Sequence, residues 1–201
     1  MSKSLKPIAN FFFEAGILAK TPRSGLHFLG SGQQSVSEHL YRTAIIAYAL
    51  GNMDGTVDVG KMLAMSLFHD FAEGRVSDLN YVHQKYTERF EDRAMGDLTV
   101  TLPFGETLKK TYAEYEERQS KESVYVKDAD NLEWILSLKE QVDVGNSRAN
   151  DWLVSAVKRL KTDLARELAE EILKTDSNEW WFGDKNDEWW VSRTRGQGSG
   201  S

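Results

Sequence analysis

Only three prolines interrupt this chain of 201 residues, and between them the apolar side chains return at helical spacing. Alternation builds strands, whereas recurrence every three to four residues builds helices, so the fold class read here is all-α. Trp152, Ala156, Leu160, Leu164, Leu168 and Ile172 recur every four residues and predict one long amphipathic helix from Arg148 to Thr175. Leu, Ala, Glu and Lys, all good helix formers, dominate the long segments.

The same reading predicts a first helix over 5–18, then a connector over 19–35 containing Pro22, Gly25, Gly30 and Gly32. A connector of that length in a compact fold is often functional. Ser35 or Ser37 caps the next helix, with Glu38 placed as in a capping box, and Val36, Leu40, Thr43, Ala47 and Leu50 line its buried face up to Gly51-Asn52. Val57 to Phe71 is apolar nearly all round, which predicts the central helix of the bundle. A loop over 74–81 and two polar helices over 84–98 and 104–119 follow. Ser120 or Ser123 opens a helix to about Val142, with Val126, Trp134 and Leu138 on its buried stripe.

Four of the six tryptophans, Trp180, Trp181, Trp189 and Trp190, fall within the stretch 176–195, read as an aromatic arm that packs on the body or on a partner subunit. The organisation expected is a single helical domain over 1–175, that arm, and a disordered or appended tail over 196–201.

The composition closes several routes. Without cysteine there is no disulfide, thiolate metal site or cysteine nucleophile. No apolar run approaches the roughly 18 residues that cross a bilayer, and the N-terminus lacks a signal-peptide layout. A cytoplasmic protein with no membrane partner is expected. A net charge of −6 is wrong for a nucleic-acid binder, whose affinity comes from neutralising phosphates. Any phosphate must be handled locally, by a metal and one or two basic residues.

Such a place exists around Ser66-Leu67-Phe68-His69-Asp70-Phe71-Ala72-Glu73. Imidazole nitrogen and carboxylate oxygen together suit borderline divalent metals. Adjacent helical residues diverge by about 100°, so His69 and Asp70 reach one ion only near a helix end. Other helices must supply the remaining ligands. His39 and Asp130 each sit on a predicted helix facing a predicted core. A lone helical histidine is more often a hydrogen-bonded core or surface residue. Asp130 is harder to dismiss, because Val126 and Trp134 flank it one turn away on each side, and a buried carboxylate is costly unless paired or metal-bound.

The order His39, His69-Asp70, Asp130 resembles the H…HD…D signature of the HD-domain phosphohydrolases. The flanking text, Gln34-Ser35-Val36-Ser37-Glu38-His39, then His69-Asp70-Phe71-Ala72-Glu73 with Ser77-Asp78, then Val126-Lys127-Asp128-Ala129-Asp130, is similar to the 5′-deoxynucleotidase branch. The likeness covers about residues 5–140. It implies an HD-type helical bundle, here with an added C-terminal helix, holding one divalent cation. That cation is Mn or Co first, with Ni, Fe, Zn or Mg as alternatives. His39, His69, Asp70 and Asp130 match the ligand positions, and Asp130 rather than Asp128 takes the last slot. Glu73 and Asp78 match acidic residues near the phosphate, and Arg23 is similar to an arginine of the substrate loop. The chain departs from its relatives in carrying Ser24 and Leu26 where they place a tryptophan near the sugar, and in Ser77-Asp78-Leu79-Asn80 where they place Gly-Asp before a proline.

The expected reaction is hydrolysis of a (deoxy)nucleoside 5′-monophosphate. Arg23 or Lys127 meets the phosphoryl charge, and Glu73, one turn beyond His69, orients the water or protonates the leaving oxygen. Removal of a whole triphosphate is the alternative, and a non-catalytic binding module a further one. A dinuclear oxygenase needs additional histidines between the His-Asp pair and the last Asp, where only His83 lies. The aromatic arm favours a homodimer.

Overall fold

Side-chain caps mark where four of the described helices begin. The computed structural model describes residues 4–193. Its helices are α1 (Lys6–Ala15), α2 (Val36–Asp54), α3 (Val59–Phe68), α4 (Glu73–Val76), α5 (Glu91–Thr99), α6 (Gly105–Glu117), α7 (Lys121–Asp143), α8 (Arg148–Val157), α9 (Asp163–Lys174), α10 (Glu179–Phe182) and α11 (Trp189–Ser192). Among the described residues there is no strand, only one isolated bridge between Pro22 and Ser35. Ser35 is the cap of α2: its side chain accepts from the Glu38 N–H, and Glu38 reaches back to the Ser35 N–H. Gly55, at φ 72°, closes that helix in the left-handed conformation that glycine adopts at low cost. Ser120 caps α7.

The core is centred on α7 rather than on α3. Val126, Ala129, Leu132, Ile135 and Leu138 are fully buried on α7, packing against Leu50, Met62 and Met65. In α3 only Met62, Met65 and Ser66 are buried, and Leu67 is 46% exposed. The apolar run of 57–71 is also shorter as a helix than expected. Asp58 caps it by accepting from the Lys61 N–H, so it starts at Val59, and the chain tightens into three-residue hydrogen bonds after Phe68.

The predicted helix over 148–175 is two helices. The four-residue spacing runs unbroken through the join, but Asp128 of α7 intrudes from outside it. Fully buried, Asp128 accepts from the Lys161 N–H (2.8 Å), the Thr162 N–H (2.7 Å) and the Thr162 hydroxyl (2.7 Å). Thr162 in turn caps α9. A second carboxylate therefore anchors the α8–α9 joint, and the single added C-terminal helix is corrected to a pair. The expected helix over 84–98 is likewise reduced to a short turn, His83–Lys85, followed by α5.

The connector is pinned at its ends. Arg23 N–H donates to Gln34 C=O, and Val36 N–H donates to Thr21 C=O. This closes the loop and sets Arg23 beside the start of α2. In the aromatic arm, Trp190 meets Trp181 and Phe182 at ring separations of 5.7 and 5.0 Å, while Trp180 is exposed. The expected tail over 196–201 lies outside the described residues.

Candidate active site

His39 sits four residues after the α2 cap, so the capping box fixes where its ring enters the core. It is fully buried. Its Nδ1 donates to Glu133 Oε2 of α7 at 2.6 Å, which aims Nε2 into the space between α2, α3 and α7. His69 lies at the C-terminal cap of α3, where its Nδ1–H donates to the Ser66 carbonyl at 2.9 Å. That bond fixes the tautomer and turns His69 Nε2 toward the same space, 3.3 Å from His39 Nε2. Asp70 brings Oδ2 to 3.6 Å from His39 Nε2 and 3.4 Å from His69 Nε2. Asp130 brings Oδ1 to 3.2 and 4.0 Å from the same two nitrogens.

Three of these residues meet the spacing of a metal site, and Asp130 Oδ1 lies beside them. The relevant atoms of His39, His69 and Asp70 all lie within 4.8 Å of one another. Burial holds His69 below its ordinary pKa, so its Nε2 presents a lone pair. Burial and Arg23 push His39 down, but Asp130 and Glu133 outweigh them and lift it to about 9. The one proton this places on His39 Nε2 leaves the His69 lone pair unserved, and imidazole nitrogen beside carboxylate oxygen is the donor chemistry that borderline divalent cations take.

Beside these donors opens a cavity of about 310 Å³, lined by Arg23, Asp70, Glu73, Asp78, Lys127 and Asp130 among others. Arg23 donates to Asp70 Oδ2 at 3.1 Å and lies 3.7 Å from Asp78. Asp78 Oδ2 accepts the Ser24 N–H at 2.8 Å, tying the connector to the chain after α4. Lys127 Nζ donates to Asp130 Oδ2 at 2.7 Å. Glu73 is 6% exposed, and its Oε2 has no hydrogen-bond partner among the described residues. Burial first, then the charges of Asp70 and Asp78, push its carboxyl up to about 10, so it holds a proton at neutral pH. All eight residues singled out from the sequence are thus gathered around one cavity and its metal-type donors.

The family described as HD domain matches residues 15–173. The chain belongs to the HD-domain family. Among curated proteins, 5′-deoxynucleotidase HDDC2 of Bos taurus is 31% identical over 150 residues, covering 72% of each chain. The Mus musculus protein of the same name is 29% identical, covering 85% of this chain and 88% of its own. A conserved hypothetical protein from Pyrococcus furiosus has a similar solved structure, with a TM-score of 0.72 at 29% identity. The match covers 83% of this chain and 99% of that one. The expected family and all-helical fold both hold.

This HD-domain chain also uses residues that the sequence reading passed over. Glu133 is fully buried and accepts from His39, from Gln34 Nε2 at 2.6 Å, and from Arg42 Nε and a terminal nitrogen at 2.9 and 2.7 Å. Burial alone would raise its pKa, but His39 and Arg42 outweigh burial and hold it at about 2. The available signal was paired spacing. Arg42 is three residues beyond His39, and Glu133 three beyond Asp130, so two facing helices each present a site residue and its partner one turn on. Trp134, read only as core, also lines the cavity.

Proposed function

We propose that this chain is a divalent-metal-dependent phosphohydrolase that cleaves (deoxy)nucleoside 5′-monophosphates to nucleoside and inorganic phosphate. The observation that carries the reading is the convergence of His39, His69, Asp70 and Asp130 at the wall of a cavity also lined by Arg23, Lys127 and the buried Glu73. The 5′-deoxynucleotidase names of the mammalian relatives supply the substrate class.

His39, His69, Asp70 and Asp130 would hold the cation, Mn or Co by preference, which when bound supplies Lewis-acid polarisation of the phosphoryl group and a lowered pKa for an attacking water. Arg23 and Lys127 meet the charge on the phosphoryl oxygens. Water oxygen bonds to phosphorus as the bond to the 5′-oxygen breaks. Glu73 gives its proton to the departing oxygen and regains one from the water that attacked. Asp78 stays in the catalytic set: it faces the same cavity and holds the loop that delivers Arg23. We place this chemistry in residues 1–175 of a cytoplasmic homodimer, with the arm of 176–195 attached. Among the described residues, no helix is long and apolar enough to cross a membrane.

A second reading, hydrolysis of (deoxy)nucleoside triphosphates, is favoured by Arg159. It lines the cavity and has no ion-pair partner among the described residues. Phosphate release by metal-stripped protein separates the two. The panel is deoxy- and ribonucleoside mono- and triphosphates with added Mn, Co, Ni or Mg. Metal-dependent release from monophosphates, lost in His69→Ala, is expected. Turnover of triphosphates alone moves the assignment to the second reading. Metal binding without any release makes the chain a binding module.

A further inference from the structure

We propose that Tyr115 is a positioning residue whose hydroxyl keeps Asp130 presenting one oxygen, Oδ1, to the cation; this deepens the metal-dependent reading and rests on it. The two oxygens of Asp130 meet different neighbours. Oδ1 lies 3.2 Å from His39 Nε2 and 4.0 Å from His69 Nε2, among the other donors. Oδ2 takes Lys127 Nζ at 2.7 Å and the Tyr115 hydroxyl at 3.4 Å, its two hydrogen-bond donors among the described residues. A carboxylate free to turn can meet an ion with one oxygen or with both. One whose second oxygen accepts from the protein gives up those bonds if it turns.

Lys127 does not hold that oxygen alone. Its side chain is 41% exposed and is the one assigned above to the phosphoryl charge, so a bound substrate draws it away from Asp130. Tyr115 has no such second task. It is 2% exposed, and Asp130 is the hydrogen-bond partner of its hydroxyl. A phenol is protonated at neutral pH and so donates to a carboxylate. The ring is fixed as well. Its centre lies 4.9 Å from that of the His69 ring, and the Arg118 guanidinium sits 3.4 Å from it. Arg118 reaches that place from the left-handed conformation at the end of α6, φ 54°, which a residue with a Cβ adopts at a cost. Tyr115 thus touches two of the four donor residues from a helix that supplies none of them.

The test reads metal affinity rather than turnover, by competing Mn against a chelator of known affinity on metal-stripped, full-length protein. Tyr115→Phe removes the hydroxyl and keeps the ring, and should weaken Mn binding about 10-fold. Tyr112 supplies a matched control. It lies one turn earlier on α6, is 5% exposed, and its hydroxyl also donates at 3.4 Å, but to Glu91. Tyr112→Phe should leave the affinity unchanged. The loss from Tyr115→Phe should grow in a Lys127→Met background, where Oδ2 has no other donor, and a double-mutant cycle reads that coupling. Wild-type affinity in Tyr115→Phe, with only Tyr115→Leu weakened, would overturn the inference and leave Tyr115 a ring packed on His69. Equal losses in the two Tyr→Phe variants, or strict additivity with Lys127→Met, also overturn it. Wild-type protein that binds no Mn removes the metal-dependent reading and the inference together. Wild-type protein that binds Mn but releases no phosphate removes the monophosphatase reading alone, and the affinity comparison still decides the inference.

Discussion

Glu133 Oε2 lies 2.6 Å from His39 Nδ1, in full burial, and joins the outer side of the metal-type donor set to a second layer of charge. The other oxygen of Glu133 takes Arg42, Gln34 and the Ser137 hydroxyl, and Arg42 continues to Glu140 at 2.5 Å. An isolated carboxylate in that position would be prohibitively costly, but here every oxygen is paired. The arrangement keeps a hydrogen on His39 Nδ1 and so turns Nε2 toward the other three donors.

Glu133→Gln should therefore weaken Mn or Co binding by about 10- to 100-fold while the four donors remain in place. The amide keeps the shape but loses the charge that orients the ring. Competition with a chelator of known affinity measures it, and unchanged binding would detach Glu133 from the site.

Metal binding should release a proton. In the metal-free protein His39 titrates at about 9, so at pH 7 its Nε2 carries a hydrogen that a cation must displace. Affinity should then rise about tenfold per pH unit from neutrality and flatten above 9. Calorimetric titration in two buffers of different ionisation enthalpy counts the protons, and a pH-independent affinity would contradict the assignment.

Glu73→Gln should move activity and stability in opposite directions. The variant loses the transferable proton, and kcat should fall about 10²- to 10⁴-fold. Because the native carboxyl is held to about 10, the folded state binds one proton more than the unfolded state between the ordinary glutamate value and about 10, so wild-type stability declines as pH rises through that window. An amide has no such dependence. In the metal-free protein the variant should gain on the order of 1–2 kcal/mol at pH 8 and little near pH 4. Urea unfolding at the two values decides it.

The two aspartates of Val126-Lys127-Asp128-Ala129-Asp130 should part company on mutation. Asp128→Ala strips three hydrogen bonds from the α8–α9 joint and should cost about 2–4 kcal/mol, with metal stoichiometry retained. Asp130→Ala should lose metal with a smaller loss of stability. Metal analysis alongside thermal unfolding distinguishes them.

Much of this was visible in the residue pattern where local physics decided the outcome. Ser35 and Glu38 specify their own capping box, and Val36, Leu40, Thr43, Ala47 and Leu50 are all buried as their spacing implied. Asp130 stood out because its neighbours along the stripe, Val126 and Trp134, are apolar. What failed was decided at a distance. Leu160 keeps perfect register through the end of α8, and only Asp128, thirty-odd positions earlier, explains why the helix stops there. Leu67 looked like a core residue because apolarity does not say which flank of a helix finds a neighbour. Glu133 was passed over, since nothing beside it in the chain reveals that His39 and Arg42 arrive from another helix.

Lys127, Asp130, Glu133 and Trp134 fall within two turns of α7, a helix buried along most of its length. The spacing between Asp130 and Trp134 along the cavity wall is therefore written into a backbone repeat and not into any loop. Deleting a single residue between Asp130 and Trp134 would swing the indole by about 100° and shorten the interval by about 1.5 Å, while exchanging the side chain at 134 would leave both untouched. Side chains along this wall can thus change one residue at a time on this scaffold, but the chain length of this segment cannot.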